Sequence, residues 1–161
     1  MTDATNIEER KIVVAVDEGE ESIYALQSYL RNFTSNNARH TFVLLYVRPQ
    51  LPVYNMYGSG SLFSDAEIES LDKYSRHLAG SVLGRAVDIC RGYSNIEVEA
   101  KAYDGDAREV ICKMVENLGA HVLVMGSHGY GIIKRALIGS VSDYCARNAK
   151  CPVVIIKRPM K

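Results

Sequence analysis

Small residues suited to anion binding are concentrated in one segment of this chain of 161 residues. Gly126, Gly129 and Gly139 are spaced as Gly-x2-Gly-x9-Gly, and Ser140 follows the third glycine. Glycine lets the backbone turn tightly and approach an anion, because no Cβ lies in the way. A helix beginning near residues 139–142 would add free N–H groups and the positive end of its dipole. The spacing therefore makes this segment a candidate phosphate site.

The same segment also has a purely structural interpretation, which the spacing alone leaves open. Gly126 and Gly129 would shape the turn after a strand, and Ser140 with Asp143 fits a capping box. Two other phosphate motifs are absent. A Walker P-loop requires Gly-x4-Gly-Lys-Ser/Thr, and the dinucleotide pattern Gly-x-Gly-x-x-Gly that starts at Gly129 has Lys134 at its third glycine position.

Few side chains near this segment are suited to catalysis. His128 has no Ser-His-Asp spacing around it, and we expect it to be a surface group. Lys134 and Arg135 lie between the two halves of the glycine pattern. We expect them to be solvated, with a role as counterions for phosphate as the alternative. No catalytic residue and no metal ligand set is predicted.

Composition points to one soluble domain. Hydrophobic residues make up 47% and charged residues 24%, and the 19 basic and 19 acidic residues cancel, which argues against a nucleic-acid-binding protein. No apolar run approaches the roughly 20 residues that cross a membrane, and no signal peptide is recognisable. We expect a cytoplasmic protein, with the nucleus as a second location. Its cysteines are expected to be reduced, packed thiols, with Cys112 the most exposed; they are Cys90, Cys112, Cys145 and Cys151.

Short apolar runs alternate with amphipathic stretches and predict a βαβαβαβαβ order. The predicted strands are 11–16, 41–47, 96–103, 121–125 and 153–156, and the predicted helices are 20–33, 65–91, 106–118 and 142–149. This alternation indicates an α/β fold with a parallel sheet covered on both faces. Strand 96–103 has charged residues on one face, which indicates a sheet edge. The glycine segment follows strand 121–125, at the end where such sheets bind ligands.

Three stretches resemble the universal stress protein family. They are Val-Met-Gly-Ser-His-Gly at 124–129, Leu-Ile-Gly-Ser-Val-Ser at 137–142 and Cys-Pro-Val-Val-Ile-Ile-Lys at 151–157. Their glycine spacing is similar to the nucleotide-binding motif of the family, and residues 105–111 and 130–151 resemble its plant branch.

The resemblance runs from Lys11 to Lys157 and implies a single-domain, Rossmann-like open parallel sheet of five strands in the order 3-2-1-4-5. We expect this domain to span 11–158, with a long loop at 48–64. A flexible N-terminus at 1–10 and a tail at 159–161 would flank it.

The resemblance also implies an adenine nucleotide, ATP or AMP, as the ligand. Asp17 and Val47 would contact adenosine, and the glycine segment would hold ribose and phosphates. The complete predicted set is Asp17, Val47, Met125, Gly126, Gly129, Gly139, Ser140, Val141 and Ser142. Mg²⁺ could accompany ATP through phosphate oxygens alone. Asp17 with Glu20 also has capping-box spacing, and both roles are compatible. The chain departs from the family at Glu18, where a small residue is common.

We therefore expect a stress-response regulatory or signalling module with little or no hydrolysis. The alternatives are a slow ATP hydrolase and a chaperone-like homodimer with a vestigial nucleotide site. A homodimer is expected through the last strand, because it is an apolar sheet edge without charge until Lys157. The residues of this edge are Val153, Val154, Ile155 and Ile156.

Overall fold

A computed structural model describes residues 9–34, 38–49, 63–128 and 139–159. Strands and helices alternate through these residues, as predicted. The elements are β1 (Glu9–Ala15), α1 (Glu20–Phe33), β2 (Arg39–Arg48), α2 (Asp65–Cys90), β3 (Ile96–Asp104), α3 (Ala107–Asn117), β4 (Val122–Gly126), α4 (Ser140–Asn148) and β5 (Val153–Ile156). Within the described ranges, none of the helices has the length and hydrophobicity that a membrane span requires.

The strands form one parallel sheet in the order β3-β2-β1-β4-β5, which confirms the predicted Rossmann-like topology. β1 is central, and its Val13 pairs with Val43 of β2 on one side and with Leu123 of β4 on the other. The chain order reverses between β1 and β4. Their carboxyl ends therefore border the crevice in which sheets of this type bind ligands.

Alternate residues of β1 pack against two different helical layers. Val14 belongs to the core that β1 and β2 form with α1 and α2, together with Leu26. Val13 belongs to the core on the opposite face, where it packs with Val115 of α3 and Cys145 of α4. Both faces of the central strands are therefore buried, which explains their continuous apolar sequences.

The two edges of the sheet are β3 and β5, as the strand sequences indicate. Glu97 and Glu99 of β3 are exposed, which agrees with its alternating pattern. Charged side chains on an exposed strand discourage pairing with another chain.

The ends of several elements differ from the predicted ones. β1 begins at Glu9, so the predicted N-terminal segment 1–10 contributes its last two residues to the sheet. β2 includes Arg48, and residues 50–62 of the predicted loop 48–64 lie outside the described residues.

α4 begins two residues earlier than predicted, and Ser140 is not its N-cap. The cap is Gly139, whose carbonyl accepts a hydrogen bond of 2.9 Å from the N–H of Asp143. This bond closes the first helical turn one residue before the capping box would. The capping-box interpretation of Ser140 is therefore wrong.

Candidate functional site

A cleft opens at the carboxyl ends of β1, β2 and β4. Its walls combine apolar side chains with a few polar groups, which is typical of small-molecule sites. The lining residues are Ala15, Val16, Asp17, Ser22, Leu45, Val47, Ala107, Ile111, Met125, Gly126, His128, Gly139, Val141 and Ser142.

Most of the predicted site residues lie together in this cleft. They are Asp17, Val47, Met125, Gly126, Gly139, Val141 and Ser142. Ser140 is exposed and does not line the cleft. Gly129 lies outside the described residues.

Asp17 is held by its own loop and by the start of α1. Its Oδ1 accepts hydrogen bonds from the N–H of Gly19 at 2.8 Å and from the hydroxyl of Ser22 at 3.1 Å. The N–H of Asp17 donates to the Oγ of Ser22 at 3.0 Å. Both backbone and carboxylate are therefore fixed at the mouth of the crevice.

The N-cap of α1 is Gly19, so the predicted capping box of Asp17 and Glu20 does not form. Glu20 instead pairs with Arg85 of α2 at 3.1 Å. The Arg85 guanidinium beside it lowers the pKa of the Glu20 carboxyl. Asp17 acts through an Asx turn, in which the side chain bonds to the backbone two residues on.

Glu18 is directed away from the cleft. Its carboxylate accepts a hydrogen bond from the hydroxyl of Tyr46, which belongs to the core on the α1 and α2 face of the sheet. Burial and the Glu18 carboxylate raise the pKa of Tyr46. The departure from the family at Glu18 therefore adds no side chain to the lining of the cleft.

The glycine at position 126 is required by helix packing. A Cβ there would lie 2.9 Å from the carbonyl carbon and oxygen of Glu21, in the first turn of α1. Real Cβ atoms almost never approach a backbone so closely. Gly126 thus lets α1 pack directly against the end of β4.

His128 is buried at 8% exposure and lines the cleft, so the expectation of a surface histidine is wrong. Its Nδ1 lies 3.1 Å from the Oγ of Ser127. His128 is buried because its neighbour Ser127 contacts the start of α4. The carbonyl of Ser127 accepts hydrogen bonds from the N–H of Gly139 at 2.6 Å and from the hydroxyl of Ser142 at 2.9 Å. α4 therefore covers the residues that follow β4.

The N-terminus of α4 is the part of the site best suited to an anion. Gly139 caps it with extended backbone, and among the described residues no side chain caps it. The hydroxyl of Ser142 also contacts the carbonyl of Gly139 at 3.2 Å, so it braces this turn. The first N–H groups of a helix have no partner within the helix and carry its positive dipole end.

Sequence reasoning missed the contribution of α3, whose Ala107 and Ile111 line the cleft. The predicted strand order was sufficient to place α3 beside the cleft. Right-handed crossovers place α3 and α4 on the same face of the sheet, opposite α1 and α2. α3 therefore packs over β2 beside the crevice, and its inward residues form a wall.

A family model described as the universal stress protein family matches residues 9–157. The chain belongs to the universal stress protein family. The universal stress protein PHOS32 of Arabidopsis thaliana is 29% identical over 167 residues, which cover 93% of this chain and 65% of that protein. This chain therefore spans less than two-thirds of the length of that relative.

Solved universal stress proteins have the same fold. One from Arabidopsis thaliana, determined with AMP bound, has a TM-score of 0.67 and 24% identity to this chain. The match covers 93% of this chain and 92% of the Arabidopsis chain. Another from Archaeoglobus fulgidus, in complex with dAMP, has a TM-score of 0.56 and 20% identity, covering 94% and 99%. In the described part of this chain, no group of three or more His, Cys, Asp or Glu side chains is arranged to hold a metal ion.

Proposed function

We propose that the cleft binds an adenine nucleotide and that the chain is a stress-response regulatory or signalling module. The observation that carries this proposal is the meeting of Asp17 with the N-terminus of α4 across the ends of β1 and β4. A carboxylate accepts hydrogen bonds from the sugar or base, whereas helix N–H groups attract phosphate. A nucleotide carries both kinds of group. The AMP and dAMP complexes of the solved relatives support the same choice.

The chemistry of the cleft walls supports one orientation of the nucleotide. Leu45, Val47 and Ile111 provide apolar surface on the β2 side, which suits a flat base. Gly139 and Ser142 lie where α4 begins, which suits phosphate. Either AMP or ATP is compatible with this arrangement. With ATP, Mg²⁺ would be bound mainly through phosphate oxygens.

Calorimetric titration of AMP and ATP into the purified chain tests the proposal. Asp17→Asn is the informative variant, because the amide oxygen can still accept from Gly19 and Ser22 while the charge is lost. We expect it to weaken binding by about tenfold or more, since hydrogen bonds to a charged group contribute about 1.5–3 kcal/mol. Asp65→Asn is the matched control, because Asp65 is an exposed carboxylate on α2 that does not line the cleft, and this variant should bind as the unmodified chain does.

Mass spectrometry of small molecules released on denaturation provides an independent measurement. If no nucleotide is released and neither AMP nor ATP gives a binding heat, the proposal is wrong. The chaperone-like alternative with a vestigial site would then be favoured.

The roles of Gly129 and Lys134 remain predictions from the sequence. Gly129→Val is expected to abolish AMP binding, because a side chain would occupy the space where the backbone approaches phosphate. Lys134→Ala should weaken binding less, because a solvated lysine contributes little. The order of the two effects, measured on folded variants, tests the phosphate assignment.

We further propose that hydrolysis is marginal. Asp17 is already bonded to Gly19 and Ser22, and a general base must be oriented toward an attacking water. We expect multiple-turnover phosphate release from ATP well below about 1 s⁻¹, the lower range of typical enzymes. Turnover above that rate, lost in Asp17→Asn, would favour the ATP hydrolase alternative.

The proposal includes a homodimer formed through β5, in the cytoplasm or nucleus. β5 is a sheet edge whose four residues are all apolar and partly exposed. An unprotected apolar edge strand readily pairs with another strand. Light scattering at micromolar concentration should give twice the chain mass. A monomer mass would refute this part of the proposal.

A further inference from the structure

Two thiols lie close together between α3 and α4. The Sγ of Cys112 on α3 is 3.8 Å from the Sγ of Cys145 on α4. Cys145 is completely buried, whereas Cys112 is partly exposed. Cys112 is therefore the member of the pair nearer to solvent, and Cys145 lies behind it in the core.

The remaining cysteines are Cys151 and Cys90. Cys151 packs against the same core as Cys112 and Cys145, but it is partly exposed and its Sγ contacts the carbonyl of Pro152 at 3.4 Å. Cys90 is buried in the core on the opposite face of the sheet. Among the described cysteines, only Cys112 and Cys145 have a sulfur–sulfur contact.

We infer that Cys112 and Cys145 are a peroxide-sensitive dithiol site, which closes into a disulfide between α3 and α4. A disulfide has an S–S distance of about 2.05 Å, so the two sulfurs must approach by less than 2 Å from 3.8 Å. Rotation of the side chains with a small helix shift would have to supply this movement. Disulfides that form in reducing compartments are usually transient and catalytic or redox-sensing.

The exposure of the two thiols sets the order of the chemical steps. The Cys112 thiolate attacks one oxygen of a hydroperoxide, the O–O bond breaks, and Cys112 becomes a sulfenic acid while hydroxide or alkoxide leaves. Cys145 then attacks the Cys112 sulfur, the S–O bond breaks, and the departing hydroxide takes up the Cys145 proton as water. The peroxide is reduced by two electrons and the two thiols are oxidised to one disulfide.

Burial supports Cys145 as the second rather than the first thiol to react. Burial, with Cys112 as a close neighbour, raises the pKa of the Cys145 thiol. Cys145 therefore reacts less readily with the oxidant itself, because the thiolate is the reactive form. In the second step its proton passes to the departing hydroxide as the S–S bond forms.

The disulfide would join two walls of the cleft. Ile111 precedes Cys112, and Ser142 lies one turn before Cys145, and both line the cleft. The crosslink closes a loop between residues 33 apart. It should therefore raise the thermal midpoint by roughly 5 °C or more, since loop closure reduces the entropy of the unfolded chain.

Intact-mass analysis of the peroxide-treated chain tests the inference. We expect a loss of about 2 Da, reversed by dithiothreitol, and a non-reduced peptide that links Cys112 to Cys145. The oxidised chain should also show the raised thermal midpoint. No mass loss, a link from Cys112 to Cys151, or only crosslinks between chains would overturn the inference.

Variants separate the roles of the two thiols. Cys112→Ser should abolish the mass loss. Cys145→Ala should stop the reaction at the Cys112 sulfenic acid, which adds about 16 Da to the chain. Dimedone should trap this sulfenic acid. Cys151→Ser is the matched control on a partly exposed thiol, and it should retain the mass loss of the unmodified chain. If Cys145→Ala does not fold, Cys112→Ser and the peptide map still decide the outcome.

Discussion

At the residue scale, the glycine at position 126 is explained by the packing of a helix. Because the first turn of α1 lies 2.9 Å from the position of a Cβ at Gly126, any larger residue forces the backbone of α1 to shift. We expect Gly126→Ala to lower the free energy of unfolding by about 1–3 kcal/mol, the usual range for overpacking. Urea denaturation followed by circular dichroism measures this change.

Gly84 in α2 is the matched control for this substitution. A Cβ there would meet nothing within 4 Å. Alanine is the better helix former, so Gly84→Ala should raise the free energy of unfolding by about 0.5–1 kcal/mol. Changes of the same sign in both variants would contradict the packing argument.

We expect His40 to make the stability of the fold depend on pH. The residue is 4% exposed, and neither ring nitrogen has a hydrogen-bond partner among the described residues. Burial and the nearby Arg10 lower the pKa of His40 below 6.5. The folded state therefore binds fewer protons than the unfolded state. The contribution to stability is complete above pH 6.5 and decreases as the pH falls from 6.5 toward the folded-state pKa.

We accordingly expect a lower urea midpoint at about pH 5.5 than at about pH 7.5. His40→Leu should reduce this difference, whatever its effect on absolute stability, because leucine does not titrate. If the urea midpoint of the variant changes with pH as much as that of the unmodified chain, other groups cause the pH dependence.

At the element scale, a buried guanidinium joins β2, β3 and α2. Arg48 is bidentate to Asp104, with distances of 2.6 Å from Nε and 2.7 Å from Nη2, and its Nη1 lies 3.2 Å from Asp72. The Arg48 side chain is 8% exposed, whereas that of Asp104 is 61% exposed. Arg48 holds the pKa of the Asp104 carboxyl below its usual value.

This difference in exposure predicts unequal effects of removing the two partners. Asp104→Ala leaves a buried charge with a single carboxylate partner, whereas Arg48→Met leaves carboxylates that water reaches. Removing a partner is most destabilising when the remaining charge is buried. We therefore expect Asp104→Ala to lower the free energy of unfolding more than Arg48→Met does, as measured by urea denaturation.

The pair of Glu20 and Arg85 serves as the control, because both side chains are more than half exposed. Exposed ion pairs contribute about 0–1 kcal/mol. Glu20→Ala should therefore change stability less than Asp104→Ala. If Glu20→Ala lowered stability more than Asp104→Ala does, water would have to replace Asp104 as the partner of the Arg48 guanidinium.

The elements differ in how well their sequences predicted them. The charges of β3 identified an edge strand, because alternation reflects the two faces of a single strand. The start of α4 and the burial of His128 were mispredicted for one shared reason. Both depend on the bonds from Gly139 and Ser142 to the carbonyl of Ser127, which join residues far apart in the sequence. Local patterns cannot report such contacts.

At the scale of the whole molecule, β5 directs the backbone N–H and C=O groups of alternate residues away from β4, toward the outside of the sheet. The carbonyls of Pro152 and Ile156 accept from Leu123 and Ser127 at 2.9 and 3.2 Å, so alternate residues of β5 bond to β4. In a parallel pair the intervening residues direct their N–H and C=O groups to the other side. Ile155 is one of these residues.

We expect Ile155→Pro to convert a β5 dimer to a monomer, because proline removes an N–H that the partner strand would use. The bonds between β4 and β5 use other residues and should persist. Light scattering after size exclusion gives the mass, with Lys157→Ala as a control that should leave it unchanged. A variant that keeps the dimer mass would exclude β5 as the contact.

The hydrogen bond of 2.6 Å between the N–H of Gly139 and the carbonyl of Ser127 links the exchange of one amide hydrogen to the separation of two elements. Its donor lies at the start of α4 and its acceptor directly follows β4, and the hydroxyl of Ser142 holds the same carbonyl at 2.9 Å. An amide hydrogen exchanges with solvent when its hydrogen bond opens. The Gly139 amide should therefore stay protected until α4 separates from the end of β4, and its exchange rate measures how often that separation occurs.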